Sequence, residues 1–567
     1  MYTFDMYCPG KNEARWLAAC MSFFVYFSIS TAFSAQTYIG DGSVVSTVEI
    51  NDLTENGPVL LDMAQYGWSI ANIGDLNGDG VTDIAVGVIY DDSGGTDKGA
   101  IYLHFMNIDG SVDSTVEIND LTENGPVLLD SDSYGQSISN LGDLNGDGVN
   151  DIAVGAYKDS SGGFWRGAVH IHFMNTGGSV DSTVEINDLT ENGPNLSDGD
   201  QYGFSVANLG DLNGDGTNDI AVGAIRDGGS GGAGSYRGAV HISYMNTDGS
   251  VDSTVEINDT TLNGPVLAND DSYGRSIANI GDLNGDGVVD IAVGAWMDDA
   301  GGSNRGVIHI HFMNTDGSID STVEINDLTE NGPVLLDNDY YGYSVAGIGD
   351  LNGDGVRDIV VGAYGDDMGG DRRGTIHISF MNTDGSVDST VEINGLTENG
   401  PVLLEYDFYG YSVANIGDLN GDGVVDIAVG ARGDDAGGNS RGAIHIHFMY
   451  GYEAPDRNTF DPDTRCHYEV PPQTTWIKLE PSSKDGTSGI LLTWTQYSAD
   501  KINIKIDDGT GSFPWKIECT SNDGHEFLPN VKEWQNIKLK PVNHCKQGDY
   551  GETVSYSKYP LGWFNTQ

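Results

Sequence analysis

The chain has little positive charge. It contains 26 Lys and Arg against 85 Asp and Glu in 567 residues, a formal net charge of -59. Nucleic acids and anionic membranes bind basic surfaces, so this composition argues against both as partners. Such an excess of carboxylates suits cations, above all hard cations that take oxygen ligands. Apolar and aromatic residues recur in register along the chain, which indicates a folded protein rather than a disordered acidic one.

Cysteine is also scarce, with five residues in the whole chain. Cys8 and Cys20 lie in the N-terminal segment, which leaves Cys466, Cys519 and Cys545 for the rest of the protein. Three is an odd number, so at most one disulfide can form within this part of the chain. We expect the pair to be Cys519 and Cys545, with Cys466 free or in an intermolecular bond.

The N-terminal segment is predicted to direct export. Lys11 and Arg15 precede the apolar stretch WLAACMSFFVYFSISTAFSA, which ends in small residues. This pattern is typical of a signal peptide, here residues 1–35, cleaved near Ser34 or Ala35. An uncleaved signal anchor is the alternative, because the stretch is about long enough to span a bilayer. Either interpretation predicts a secreted or cell-surface protein, with no membrane insertion beyond such an anchor.

Helical periodicity is absent, and a repeat of short strands takes its place. The phrase IGDLNGDGVTDIAVGV at 73–88 returns in closely similar form five more times. In the second unit, four segments are predicted strands: 134–142, 151–156, 167–173 and 182–187. Clusters of Gly, Asn and Asp separate them. Four strands per repeated unit are typical of a β-propeller blade.

Counting strands predicts how the ring closes. The sixth unit lacks its fourth strand, while an unpartnered copy of that strand, STVEIN, begins at Ser46. We therefore expect residues 44–51 to complete the last blade and remove an exposed sheet edge. The expected fold is all-β, a six-bladed propeller over residues 36–451 followed by a small β-sandwich-like domain over 452–567. Seven blades would require a contribution from the C-terminal segment.

The unit resembles the FG-GAP repeat of integrin alpha chains. A Tyr-Gly pair stands for the FG, and Gly-Ala, or Gly87-Val88 in the first unit, stands for the start of GAP. The resemblance implies a propeller with cation loops on one face and ligand binding on the other. Integrin propellers have seven blades and not all of them bind metal, whereas every unit here carries the full loop. The Tyr-Gly pairs begin at Tyr66, Tyr134, Tyr202, Tyr273, Tyr341 and Tyr409.

The loop pattern D-x-N-x-D-G-x-x-D predicts about six structural Ca²⁺ sites. Side-chain oxygens alternate with small residues, Gly80 permits the turn, and one backbone carbonyl completes a set of hard donors. Two features count against an EF-hand: its twelfth residue must be acidic, whereas that position is Val in all six loops, and it needs flanking helices, whereas the following DIAVGA segment is a predicted strand. The alternative is a set of Asx-type turns without metal. Lacking the bidentate Glu of an EF-hand, the sites should be weak, with Kd on the order of 10⁻⁴–10⁻³ M. The expected ligands are Asp75, Asn77, Asp79, Val81, Asp83; Asp143, Asn145, Asp147, Val149, Asp151; Asp211, Asn213, Asp215, Thr217, Asp219; Asp282, Asn284, Asp286, Val288, Asp290; Asp350, Asn352, Asp354, Val356, Asp358; and Asp418, Asn420, Asp422, Val424, Asp426.

Other features have a functional and a structural interpretation. Histidines such as His170 and His172 lie on one face of the third strand, where packing between blades is favoured over binding a transition metal. The Arg-Gly-Asp tripeptide at Arg432 arises from one substitution in a repeat loop and is not expected to act as an integrin ligand. Asn195 and Asn258 begin glycosylation sequons in a eukaryotic host.

The sequence favours a binding protein over an enzyme. No Ser-His-Asp order, G-x-S-x-G motif or paired catalytic carboxylates can be recognised, so we expect adhesion or binding of a protein or glycan opposite the calcium loops. A glycan- or lipid-directed hydrolase or lyase with the propeller as an accessory domain is one alternative. A structural matrix or surface protein is the other, suggested by the near-identity of the units.

Overall fold

A computed structural model describes residues 38–232 and 234–453, together with strand segments between residues 476 and 565. Side chains are described for residues 40–232 and 234–451. The chain divides into two compact units between Ala454 and Pro455, and each is described by itself. The predicted signal peptide, with Cys8 and Cys20, lies outside the described residues, as do Cys466 and Cys545.

The first unit contains six four-stranded antiparallel sheets. Each of the first five sheets takes four consecutive strands, and the sixth adds β1 to the last three. One short 3-10 helix, Gly229–Gly231, lies in the third blade. The strands are β1 (Tyr38–Ile50); β2 (Ser69–Gly74), β3 (Asp83–Val88), β4 (Ala100–Met106), β5 (Val112–Ile118); β6 (Tyr134–Gly142), β7 (Asp151–Ala156), β8 (Ala168–Met174), β9 (Val180–Ile186); β10 (Tyr202–Gly210), β11 (Asp219–Ala224), β12 (Ala239–Met245), β13 (Val251–Ile257); β14 (Tyr273–Gly281), β15 (Asp290–Ala295), β16 (Val307–Met313), β17 (Ile319–Ile325); β18 (Ser344–Gly349), β19 (Asp358–Ala363), β20 (Thr375–Met381), β21 (Val387–Ile393); β22 (Tyr409–Gly417), β23 (Asp426–Ala431) and β24 (Ala443–Glu453).

The six-bladed propeller is confirmed, and so is its closure by the N-terminal strand. β1 pairs antiparallel with β24, so that Ser46 lies opposite Phe448 and Ile50 lies opposite Ile444. The sixth sheet therefore has the order β1-β24-β23-β22. In the second blade, β6 and β7 have the predicted bounds, while β8 and β9 differ from prediction by one or two residues.

Apolar side chains between neighbouring blades form the core. Ile101 and Leu103 of the first blade pack in one cluster with Tyr134 and Val154 of the second. The β3-type strands are buried over their whole length, which explains their continuous apolar sequence. The central strands have neighbours on both faces because each blade is covered by the next.

The Tyr-Gly pair serves this packing. Tyr134 is fully buried, and the carbonyl oxygen of Gly135 accepts a hydrogen bond from Ser69 Oγ of the preceding blade at 2.8 Å. Gly135 has φ +87°, and a Cβ there would lie 2.5 Å from the carbonyl oxygen of Ala100. Both the backbone conformation and the close approach therefore require glycine.

The second unit consists of two antiparallel sheets in its described strands. The all-β prediction for this region is therefore confirmed at the level of strands. Cys519 lies in the strand Trp515–Ser521. The four-stranded sheet has the order β29-β26-β25-β33, and β27, β28, β30, β31 and β32 form the other. The bounds are β25 (Trp476–Lys484), β26 (Thr487–Trp494), β27 (Lys501–Ile506), β28 (Trp515–Ser521), β29 (His525–Pro529), β30 (Asn536–Asn543), β31 (Lys546–Gln547), β32 (Val554–Ser555) and β33 (Trp563–Asn565).

Closure of the ring by β1 predicts unequal effects of two substitutions in that strand. Ile50 is fully buried, whereas Val45 is 48% exposed. We expect Ile50→Ala to lower the free energy of unfolding by about 2–5 kcal/mol, because it leaves a cavity against β24. Val45→Ala should change it by no more than about 0.5 kcal/mol. Denaturant titration of the full chain measures both, and equal effects would contradict the closure.

Candidate functional site

Each predicted metal loop is the hairpin between the first and second strands of a blade. In the first blade it runs from Gly74, the end of β2, to Asp83, the start of β3. Asp75, Asn77 and Asp79 are exposed on this hairpin, while Val81 is half-buried. Consecutive antiparallel strands place this hairpin and the β4–β5 hairpin at the same end of the blade. All six loops therefore lie on one face of the propeller.

The Asp and Asn side chains shape the hairpin through backbone hydrogen bonds. Asp75 Oδ1 accepts from the N–H groups of Gly78 at 2.7 Å and Asp79 at 2.9 Å, and Asp75 Oδ2 accepts from Gly80 at 2.8 Å. Asn77 Oδ1 accepts from the Asp79 N–H at 2.8 Å. The bonds to the N–H groups of the fifth and sixth loop residues recur in all six loops. The Asx-type turns of the alternative hypothesis are thus present.

The last aspartate of the loop has a role that the sequence did not reveal. Asp83 is fully buried. Its Oδ2 accepts from the Leu76 N–H at 2.9 Å, and its Oδ1 accepts from the N–H of Met106, at the end of β4, at 3.0 Å. This carboxylate therefore ties the hairpin to the third strand. The same two bonds recur at Asp151, Asp219, Asp290, Asp358 and Asp426.

Burial makes the charged form of this aspartate costly. It raises the pKa of Asp83 from 3.8 to about 6, although the bonds from Met106 and Leu76 act in the opposite direction. The nearby carboxylate of Asp79 raises the pKa further. A cation next to Asp83 would favour its charged form, since opposite charge lowers the pKa of a carboxyl group.

The loop's donor set fits a hard cation. An ionised carboxylate offers about four lone-pair sites, of which the two bonds at Asp83 occupy two. Asp75 accepts three hydrogen bonds and keeps one such site. Oxygen lone pairs therefore remain for an ion, and the donors are those that Ca²⁺ prefers. Within the described residues, no three His, Cys, Asp or Glu side chains converge closely enough, as they stand, to hold a metal. The three aspartates of each loop are therefore not gathered around one point in this structure, and the ligand assignment stays a prediction.

The opposite face is built from the β3–β4 loops and the connectors between blades. Its inner part is filled by rings, among them Trp68, Tyr343 and Tyr411. The guanidinium of Arg275 lies 3.5 Å from the centroid of the Tyr343 ring. Arg432 of the Arg-Gly-Asp tripeptide stacks on the Tyr411 ring at 4.3 Å and is half-buried. The tripeptide is thus part of the packing in this structure.

The connectors expose aliphatic side chains in a repeated pattern. In the connector before β6, Leu121, Val127 and Leu129 are exposed by 71%, 81% and 56%. Exposed Leu or Val residues recur in the connectors of the other blades at Leu53, Val59, Leu61, Leu189, Leu262, Val266, Leu328, Val334, Leu336, Leu396, Val402 and Leu404. These connectors lie on the face opposite the predicted metal loops, so that face carries most of the exposed Leu and Val residues of the described chain.

The third-strand histidines differ in their partners. His172 Nε2 lies 2.7 Å from the Tyr134 hydroxyl, and its Nδ1 lies 2.8 Å from Thr183 Oγ1. Thr183 Oγ1 in turn donates to the Asn124 carbonyl of the connector at 2.7 Å. Burial lowers the pKa of His172 to about 3, so the ring is neutral at ordinary pH. This histidine is a packing residue, as the favoured interpretation holds.

The two sequons lie in different surroundings. Asn195 is exposed and occupies the connector position of Val127. Asn258 is half-buried, its Nδ2 donates to Glu256, and its Oδ1 accepts from the Thr260 N–H at 2.8 Å. Only the first therefore presents a free amide nitrogen.

Known proteins share the repeat. The FG-GAP repeat profile matches residues 66–104, 134–172, 341–379 and 409–447, which lie in blades one, two, five and six. Each match runs from the Tyr-Gly pair to the third strand, with the metal loop between them. Four blades of this six-bladed β-propeller are therefore similar to the FG-GAP repeat.

Integrin alpha chains are among the curated relatives. Human integrin alpha-6 is 36% identical over 171 residues, which cover 30% of this chain and 13% of the relative. Integrin alpha-6 of Gallus gallus is 36% identical over 165 residues, 29% of this chain and 14% of the relative. Integrin alpha pat-2 of Caenorhabditis elegans is 29% identical over 258 residues, 43% of this chain and 19% of the relative. The chain therefore spans less than a fifth of the length of these relatives.

A solved rhamnogalacturonan lyase from Bacillus licheniformis aligns over 89% of each chain with 14% identity and a TM-score of 0.26. This score is too low to establish a common fold.

In the part of the chain that the structure describes, no helix is long and apolar enough to cross a membrane.

The sequon geometry predicts selective glycosylation. After secretion from a eukaryotic host, Asn195 should carry a glycan and Asn258 should not, because the Asn258 amide is held by Glu256. Mass spectrometry of glycopeptides checks this, with Asn195→Gln and Asn258→Gln as the matched pair. A glycan at Asn258 with Asn195 unmodified would contradict the prediction.

Proposed function

We propose that this chain is an extracellular, non-catalytic binding protein whose FG-GAP propeller is stabilised by calcium and holds a protein or glycan partner. It is secreted or displayed at the cell surface. The observation that carries the proposal is the division between two faces. One face presents six acidic hairpins with nearly the same hydrogen-bonded frame, and the other presents repeated exposed aliphatic side chains.

Calcium is supported by the chemistry of the loops. Three aspartates, an asparagine and a backbone carbonyl lie on a hairpin of nine residues in a chain with a large excess of negative charge. The loops match the FG-GAP repeat in four blades, and the same bonds from backbone N–H groups recur in the other two. We assign one Ca²⁺ to each loop, held by the first, third, fifth and ninth side chains and the seventh carbonyl.

Adhesion or ligand binding is supported by the opposite face. Three exposed aliphatic side chains recur at equivalent positions in four of the six connectors, those that contain Leu53, Leu121, Leu328 and Leu396. A protein that exposes so many aliphatic residues on one face gains from covering them. The similarity to integrin alpha chains over the propeller agrees with this type of function.

Calcium removal should lower the thermal stability of the full chain. At a free concentration 10- to 100-fold above Kd, each site contributes about 1–3 kcal/mol to the free energy of unfolding. Differential scanning calorimetry with calcium and with a chelator measures the change. The matched variant Asp143→Ala should show a smaller calcium-dependent rise, since one of six sites is lost. A melting temperature that is the same in calcium and in chelator would contradict the proposal.

Partner binding should depend on the connectors. The test variant carries six changes in two connectors: Leu121→Ser, Val127→Ser and Leu129→Ser, and Leu328→Ser, Val334→Ser and Leu336→Ser. We expect it to bind at least tenfold more weakly than the unmodified chain on an array of glycans and proteins. The control is Ile108→Thr, an exposed residue of the calcium face that is Thr in other blades. Equal loss in both variants, or none in either, would exclude the connectors as the binding surface.

A further inference from the structure

Four cationic side chains lie in the inner part of the face opposite the acidic hairpins. They are Lys158, Arg226, Arg275 and Arg432, and we refer to them as the central cations. The first strands of neighbouring blades contact one another around the ring, so these strands lie at its centre. Arg275 directly follows the Tyr-Gly pair of a first strand, and the other three directly follow or lie one residue beyond the end of a second strand. Both positions are at the end of the blade opposite the metal loop.

Two of the central cations share one aromatic ring. The Arg275 guanidinium lies 5.7 Å from the centroid of the Tyr411 ring, and the Arg432 guanidinium lies 4.3 Å from the same centroid. Burial raises the pKa of the Tyr411 hydroxyl, and the charges of both arginines act in the opposite direction. Like charges this close repel each other, so a bound anion would offset an unfavourable interaction.

The other two central cations lie near Tyr157. The Lys158 Nζ is 4.8 Å from the centroid of the Tyr157 ring. Burial raises the pKa of Tyr157 to about 12, while the charges of Arg275 and Arg226 act against that rise. Tyr157 packs against Phe204 with ring centroids 4.9 Å apart, and Arg275 lies 4.6 Å from the Phe204 centroid. The central cations therefore belong to one connected cluster of rings and charges.

The central cations have no carboxylate partner among the described residues. Arg275 is 6% exposed, and neither its buried Nε nor that of Arg432 has a hydrogen-bond partner in the described part of the chain. Buried charges are normally paired, so their isolation is unexpected in a chain with 85 acidic residues. The Lys and Arg side chains that do form ion pairs are Lys98, Arg166, Arg237, Arg305 and Arg441.

The unpartnered buried atoms of this cluster are all hydrogen-bond donors. Besides the two guanidinium nitrogens, Trp296 Nε1 is buried without a partner among the described residues. The Trp296 ring lies 5.2 Å from that of Tyr343, and the Arg275 guanidinium lies 3.5 Å from the Tyr343 centroid. Guanidinium and indole N–H groups can donate but not accept. The cluster therefore lacks acceptors, and an oxyanion supplies several acceptor oxygens at once.

An exposed aromatic pair adjoins the cluster. Phe164 is 60% exposed and stacks on Trp165, with ring centroids 4.6 Å apart and an interplanar angle of 18°. The Lys158 Nζ lies 6.0 Å from the Trp165 centroid. The other five blades have Thr, Ser, Asp or Asn at the position of Phe164. An exposed ring beside positive charges suits a sugar, because the C–H groups of a sugar ring pack on the negative face of an aromatic ring.

We propose that the central cations bind the carboxylate or sulfate group of an acidic glycan, with a neighbouring sugar ring packed on Phe164. This inference rests on the proposed function, since it names the ligand class of one site on the same face. The negative net charge of the chain does not prevent such binding. At physiological ionic strength, exposed charges more than about 8 Å away are largely screened, so the contacts within the site dominate.

Calorimetric titration of the full chain at saturating calcium measures this binding. The probes are a hyaluronan hexasaccharide with carboxylates, a carrageenan hexasaccharide with sulfates, neutral maltohexaose and the peptide hexaglutamate. One of the two acidic oligosaccharides should bind at least about tenfold more tightly than maltohexaose and hexaglutamate, because its charged group meets the unpartnered donors. The tighter of the two identifies the acidic group. Equal binding of maltohexaose, or tighter binding of hexaglutamate, would overturn the proposal.

Substitutions taken from other blades test the central cations. The double variant Arg275→Gln, Arg432→Tyr introduces residues that blades two and five have at these positions, and it should bind the acidic oligosaccharide at least about tenfold more weakly. The matched control is Arg357→Asn, Arg372→Ser, which removes two exposed charges elsewhere and also introduces residues of other blades. Its affinity should be within about twofold of the unmodified chain, as expected for exposed charges outside the site.

Two single variants leave the buried guanidinium groups in place. Lys158→Met, the residue of blade four, and Phe164→Thr, the residue of blade one, should each weaken binding at least about threefold and leave the melting temperature unchanged. Unchanged affinity in the double variant and in Lys158→Met, or an equal loss in the control, would overturn the proposal. If neither acidic oligosaccharide binds while the connector variant still loses an array ligand, this inference fails and the proposed function stands.

Discussion

One buried aspartate per blade holds the propeller's local structure together. Asp83 and its counterparts begin the second strand of each blade. Each accepts hydrogen bonds from the preceding hairpin and from the end of the third strand, so that one carboxylate links these three segments. Its burial raises its pKa and makes the negative charge costly. The exposed carboxylates of the same hairpin add to that cost. The proposed cation would relieve both effects, because opposite charge favours the ionised form of a carboxyl group.

Much of this architecture could be predicted from the sequence. The period of the repeat, the apolar second strands and the orphan strand at Ser46 were sufficient for six blades and for their closure. Those features depend on local patterns that repeat six times. The double role of Asp83 could not be predicted, because its second donor, Met106, is 23 residues away in sequence.

The two faces use the repeat differently. On the face of the six acidic hairpins, every blade keeps the same hydrogen-bonding residues, because each hairpin must form the same turn. On the opposite face the blades vary: Asn195 stands where Val127 stands in the second blade, and Tyr102 stands where other blades have His. His170 and His172, two residues apart on one strand face, also differ, since the second is fully hydrogen-bonded and the first is not.

The claim that the ion completes each hairpin is tested most directly by counting calcium. Equilibrium dialysis of the full chain should give six Ca²⁺ per molecule, and Asp151→Ala should give five. This substitution removes the carboxylate that links hairpin and third strand in one blade and leaves the other five loops intact. Fewer than two ions per chain, or six ions still bound to Asp151→Ala, would contradict the account.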